Sequence, residues 1–223
     1  MAEGIAMPEN HWPVRVAVNV MRARLTVIGF NIAIVSFQIA QLYKVSGGVR
    51  VPGLDHTVHI GASMDLFMAL ALSLIALVAF IVSSALDEMG VCTHWSLVAG
   101  DLLMYLGLAH TLAGFFAPLA VSIEIFFAKI HVTTPEMAIL RTATLIAGGL
   151  AWILATYVGP AVSLMRSPFP RRINIALGIG YFILLLTLSW VSAQAVRLEA
   201  SVSGEPPGLI FAFLRELVQP LRW

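Results

Sequence analysis

Charged side chains are scarce in this chain, cysteine is almost absent, and the motifs of familiar enzyme chemistry are missing. Only 11% of its 223 residues are Asp, Glu, Lys or Arg, against about 25% in ordinary soluble domains. A water-facing surface of normal composition cannot be built from so few. The positive residues occur singly or in small groups and the formal net charge is +1, which leaves no electrostatic footprint for nucleic acid. The single cysteine, Cys92, can close no internal disulfide and has no second thiolate with which to hold zinc or an iron–sulfur cluster. No G-x-S-x-G, H-E-x-x-H or glycine-rich phosphate loop occurs, and no pair of adjacent carboxylates lies deep in an apolar run, so enzyme activity has no positive support in the sequence. A potassium-type selectivity filter and an arginine ladder are missing as well.

Apolar residues fill the space these leave: 59% of the chain, with a mean hydropathy of +0.91. About 20 apolar residues in helical form cross the roughly 30 Å of bilayer hydrocarbon. Runs of that kind predict membrane spans over about 25–43, 60–86, 95–123, 137–165 and 173–196. Pro118 is expected to kink the third span or mark its end. The expected fold class is therefore an all-α integral membrane protein, one membrane domain covering 1–223, built as a bundle of about five transmembrane helices plus a C-terminal amphipathic helix. That last helix is expected over about 209–219, with Ile210, Phe213, Leu214 and Leu217 on one face and Arg215, Glu216 and Gln219 on another. It suits either the membrane surface or a docking site on the bundle.

The first 14 residues lack the basic start and apolar core of a cleaved signal, so Leu25 onward is expected to remain as an anchor. Arg15, Arg22 and Arg24 precede span one, and Arg166, Arg171 and Arg172 lie in the turn between spans four and five. Five spans put both groups on one side, which favours a cytoplasmic N-terminus in an inner membrane. Lys44, Arg50 and Lys129 on the other side weaken that bias.

Ionisable groups in a bilayer cost about 2.5–3.5 kcal/mol at its centre, so each is a functional candidate. Asp65 and Asp101 open their spans, where a carboxylate gains from the helix dipole; they serve as interfacial caps or as protonatable groups in an ion path, with Tyr105 one turn below Asp101. The segments His59, Asp65–Met68 and His94, Asp101–Met104 resemble each other, either by chance or as a remnant of an inverted repeat. His110 is set deeper, among Gly100, Gly107 and Gly114 at seven-residue spacing. That small-residue seam predicts close helix packing and an imidazole facing protein. A bis-histidine haem would need a second histidine at similar depth, which no other span has. Asp55, His56 and His59 form a D-H-x-x-H cluster of weak metal-ligating character. Ala147, Ala151, Ala155 and Gly159 predict a second packing seam, Asn31, Gln38 and Gln41 a polar contact face, and Arg141 a snorkelling cation.

Three functions follow as expectations. The first is a non-catalytic multi-pass subunit of a homo- or hetero-oligomeric membrane complex, acting through its packing faces, with lipid and other membrane subunits or further copies of itself as partners. The second is a transporter or proton/ion conduit lined by Asp65, Asp101, Tyr105 and His110. The third is a metal-, haem- or quinone-binding subunit of a membrane redox complex. No cofactor is specified by any motif.

Overall fold

The structure, a computed structural model, describes residues 14–15, 18–45, 48–51, 53–86, 91–92, 94–130 and 135–218. Five of its helical segments are long and apolar enough to cross a membrane. Helix α1 (Val18–Gln41) begins ahead of the apolar run, so Arg22 and Arg24 lie inside it. Helices α2 (Ile60–Ala85) and α3 (Ser96–Ile130) follow as the second and third spans. The fourth span is α4 (Pro135–Ile153), a single π turn at Leu154–Val158, and α5 (Gly159–Met165). Helix α6 (Arg171–Ser203) is the fifth, and the short α7 (Leu209–Val218) returns along it. Two two-residue ribbons tie the loops: β1 (Val14–Arg15) pairs with β4 (Val91–Cys92), and β2 (Val49–Arg50) with β3 (Thr57–Val58), all antiparallel.

The centre of the bundle is the α2/α3 hairpin, and the glycine seam is what closes it. A Cβ at Gly100 would lie 2.9 Å from Phe80, one at Gly107 3.1 Å from Ser73, and one at Gly114 2.7 Å from Leu66. As numbers rise along α3 they fall along α2, so the seam runs the length of an antiparallel pair. Helix α1 covers it on one side, placing Ile28 with Phe80 and Ala76, and Val35 with Leu66 and Ala69. Helix α6 covers the other, placing Leu185 against Leu72 and Leu106. Gly114 faces both the Leu66 side chain and, at 3.2 Å, the Ala62 carbonyl oxygen. Leu66 is fully buried and has nowhere to retreat. Gly114→Ala is accordingly expected to destabilise the bundle by about 1–3 kcal/mol, the usual range for overpacking. Gly29→Ala, with nothing within 4 Å, should instead leave stability unchanged or raise it by about 0.5–1 kcal/mol, because glycine is a poor helix former. Unfolding in mixed micelles compares the two.

Helices α1, α3 and α6 extend beyond their sequence-derived bounds. Helix α3 does not end at Pro118 but runs through it to Ile130; spanning helices tolerate an interior proline where neighbouring groups satisfy the backbone carbonyl it frees. Its 35 residues measure about 52 Å at 1.5 Å per residue, well beyond the hydrocarbon thickness. Helix α6 likewise extends from Arg171 to Ser203, past the expected 173–196. In the fourth span, Pro160 has no N–H to offer the Thr156 carbonyl. The chain widens into the π turn there, with the Gly159 N–H bonded to the Leu154 carbonyl, as such turns commonly form where the regular ladder is interrupted. The Tyr181 hydroxyl from α6 donates to the Thr156 carbonyl at 2.5 Å.

Helix α7 is a docked helix. Phe213 meets Trp190 edge-on at 5.8 Å, Leu217 joins the cluster around Leu185, and the Tyr157 hydroxyl donates to the Leu217 carbonyl. Ala212 and Glu216 are buried, while Ile210, Phe211, Leu214 and Val218 face outward. The expected apolar face is therefore split: Phe213 and Leu217 turn toward the bundle, Ile210 and Leu214 away from it. In lipid an apolar side chain is at home outside, and polar groups seek partners within the bundle. Gln219 lies outside the described residues.

Candidate functional site

Asp65 on α2 is on the inward side of its helix and is 6% exposed. Its Oδ1 lies 3.1 Å from His110 Nδ1 on α3 and accepts the Ser192 hydroxyl of α6 at 2.7 Å. Three helices thus deliver one carboxylate, one imidazole and one hydroxyl to a single point. Gly107 and Gly114 flank His110 and bring α3 close enough to α2 for the contact. Thr156 within the π turn, Ser189 one turn from Ser192, and Glu216 from α7, with apolar side chains such as Trp152 and Leu185, complete the walls of a small buried cavity of about 20 Å³. That volume is enough for about one water, and the walls carry the several polar partners a buried water needs. Two carboxylates, an imidazole and three hydroxyls around a water-sized space can hold a proton and pass it on, since each can donate or accept as the proton moves.

The other predicted path residues are elsewhere. Asp101 is held near the start of α3, nine residues before His110, by Arg24, whose Nε and Nη2 donate to Oδ1 and Oδ2 at 2.6 Å each. The Ser163 hydroxyl stands 3.4 Å from Oδ2. Phe80, seated over Gly100, offers its ring face to the Arg24 guanidinium at 5.8 Å, a cation–π contact. The Tyr105 ring packs on Gly159, where a Cβ would approach to 2.6 Å. These four residues do not converge: Asp65 and His110 form one site, Asp101 a bidentate ion pair, and Tyr105 the wall of a cleft described below.

His59 Nε2 lies 2.9 Å from the Val45 carbonyl, and His56 sits edge-on to Tyr43 with ring centroids 6.0 Å apart. Among the described residues no three His, Cys, Asp or Glu side chains are arranged to hold a metal ion. Ala155 is buried beside Ala109 and Trp152, whereas Ala147 is exposed and Ala151 half-buried. The α4 seam therefore faces α3 only from Ala151 onward. Arg141 pairs with Glu124 at 2.5 Å on the outer part of the α3/α4 hairpin.

Sequence reasoning missed three groups at the site and its border. Ser192 and Glu216 carry no motif, and their meeting with Asp65 depends on how α6 and α7 fold back. Glu199, near the end of α6, accepts the Gly61 N–H at 2.8 Å and so caps the start of α2, where a carboxylate also faces the positive end of the helix dipole. Compared with protein-family models, with curated proteins and with solved structures, the chain gives no match.

Proposed function

We propose that this chain conducts or couples protons across a membrane, with Asp65 and His110 as the proton-carrying pair and Ser192, Ser189, Thr156 and Glu216 as their surroundings. The observation that carries this reading is the small buried cavity to which α2, α3, α6 and α7 each contribute an ionisable or hydroxyl side chain. Ionisable groups within spanning helices that pair with one another around a cavity are the usual mark of an ion or proton pathway. The glycine seam, which on sequence grounds was available to sister subunits, is filled by α2 of the same chain. That leaves the subunit reading with less to stand on, although self-association or a second membrane protein fits the apolar outer surface of α1 and α4. The N-terminus is proposed to face the cytoplasm of an inner membrane, because Arg24, Arg166, Arg171 and Arg172 share the end of the bundle where Asp101 and Ser163 meet.

The test is flux. Purified full-length protein in liposomes, with a pH-sensitive dye inside and a valinomycin-set potassium potential, should acidify or alkalinise the lumen well above protein-free liposomes. Lumenal pH that tracks the protein-free control under either polarity, and under imposed sodium or potassium gradients, would refute the conduit and return the reading to a membrane subunit.

A further inference from the structure

A second cavity lies across α3 from the polar site, between α1, α3 and α4, and it is of a different kind. Its volume is about 650 Å³, inside the roughly 300–1,000 Å³ range of small-molecule sites. Ile34 and Leu154 on its rim are about half exposed, so it opens sideways at the depth of the spans and is reached from lipid. Among the described residues no charged side chain lines it. Its walls are mostly apolar and aromatic, with Phe115 and Phe116 edge-to-face at 5.0 Å and Tyr105 alongside. Besides Asn31, Gln38 and Thr111 add polar side chains, and the Thr111 hydroxyl donates to the Gly107 carbonyl.

One buried polar group on that wall is incomplete. Asn31 is 3% exposed, and its Nδ2 donates to Ser73 Oγ at 2.8 Å. The single Ser73 proton goes to the Ala69 carbonyl at 2.7 Å, so Ser73 can only accept from Asn31. This fixes the orientation of the amide: its oxygen must be the free end. Asn31 Oδ1 is buried and has no hydrogen-bond partner among the described residues, an unfavourable arrangement that a donor would relieve.

We propose that this cleft binds a lipid-soluble molecule with a hydroxyl-bearing aromatic head, of the hydroquinone type, and an apolar tail. The head hydroxyl donates to Asn31 Oδ1 once a small turn of the buried amide presents that oxygen to the cleft. Its ring packs on the aromatic wall in the edge or offset geometry aromatic pairs prefer, and the tail leaves between Ile34 and Leu154. A phospholipid headgroup does not fit, because the lining has no cation to meet a phosphate. A hydroxyl on a flexible glyceride would satisfy Asn31 but make no use of the rings. This inference is independent of proton flux through Asp65.

Binding to the full-length chain in saturated phosphatidylcholine nanodiscs tests it. The probes are a decyl-substituted benzohydroquinone kept reduced under anaerobic conditions, the matching benzoquinone, dioctanoylglycerol and decylbenzene. The hydroquinone should bind about tenfold more tightly than decylbenzene, the effect of one hydrogen bond, and also more tightly than the quinone, which has no proton to donate. Asn31→Leu should remove that advantage. Ala151→Phe, which fills the cleft and leaves Asn31 in place, should abolish binding of every probe while elution volume and melting temperature stay unchanged. Hydroquinone affinity that survives Ala151→Phe, equals that of decylbenzene, or is matched by dioctanoylglycerol would overturn the proposal.

Discussion

Asp65→Asn is expected to reduce proton flux in proteoliposomes to the protein-free background, a fall of about a hundredfold or more if Asp65 contributes as a general acid–base group typically does. The asparagine keeps the size of the side chain and an oxygen for the Ser192 hydroxyl, which donates to Asp65 Oδ1 at 2.7 Å. What it removes is the group that can bind a proton. His110→Gln is expected to act similarly, because a glutamine amide can hydrogen-bond to Asp65 but cannot shuttle a proton. Ser192→Ala should be much milder: it takes away one donor to Asp65 and leaves both carriers. This ranking separates conduction from architecture. A purely structural cluster would make Ser192→Ala and Asp65→Asn comparable, both read as lowered melting temperature with no change in flux per folded molecule. Glu216→Gln is informative too, since it alters the wall contributed by α7 and leaves the Asp65–His110 contact intact.

The membrane architecture was legible because its physical cause is local. Apolar runs long enough to span hydrocarbon can be counted along the chain, and α2 starts at Ile60 as expected. The glycine heptads on α3 were legible for the same reason, since close approach needs missing side chains at regular spacing. His110 facing protein followed directly from that spacing. Its partner did not. Asp65 looked like an interfacial cap because it is five residues into α2, and its inward turn depends on α6 supplying Ser192 from 127 positions away. The pairing of Asp101 was hidden by a boundary: taking span one to begin at Leu25 left Arg24 outside, whereas α1 begins at Val18 and puts the guanidinium level with the start of α3. Whether α7 lies on the membrane surface or docks on the bundle was not legible from its two faces, because the choice depends on its contacts with Trp190 and Tyr157 far along the chain. Once a helix lies against lipid, Glu216 is the side chain with a reason to turn inward.

Arg24→Ala should be the most destabilising single substitution in the bundle, by about 3–5 kcal/mol, because it leaves the Asp101 carboxylate buried without its partner. Asp101 is 6% exposed, and the pair is bidentate at 2.6 Å, the geometry in which guanidinium and carboxylate match best. Losing the arginine also uncovers the Phe80 ring beneath it. The double variant Arg24→Ala with Asp101→Asn should recover most of the loss, since no buried charge then remains. A double-mutant cycle by unfolding in mixed micelles would read the coupling directly. A single-variant cost below about 1 kcal/mol would mean that the pair is solvated as a surface bridge is, with Arg24 reaching the headgroups. Flux gives the complementary reading: Asp101→Asn in the Arg24→Ala background should conduct protons at close to the wild-type rate per folded molecule, because Asp101 anchors α1 to α3 and lies apart from the Asp65–His110 cavity. If that double variant were as silent as Asp65→Asn, the proton path would have to reach Asp101, and the ion pair would be a gate at its mouth.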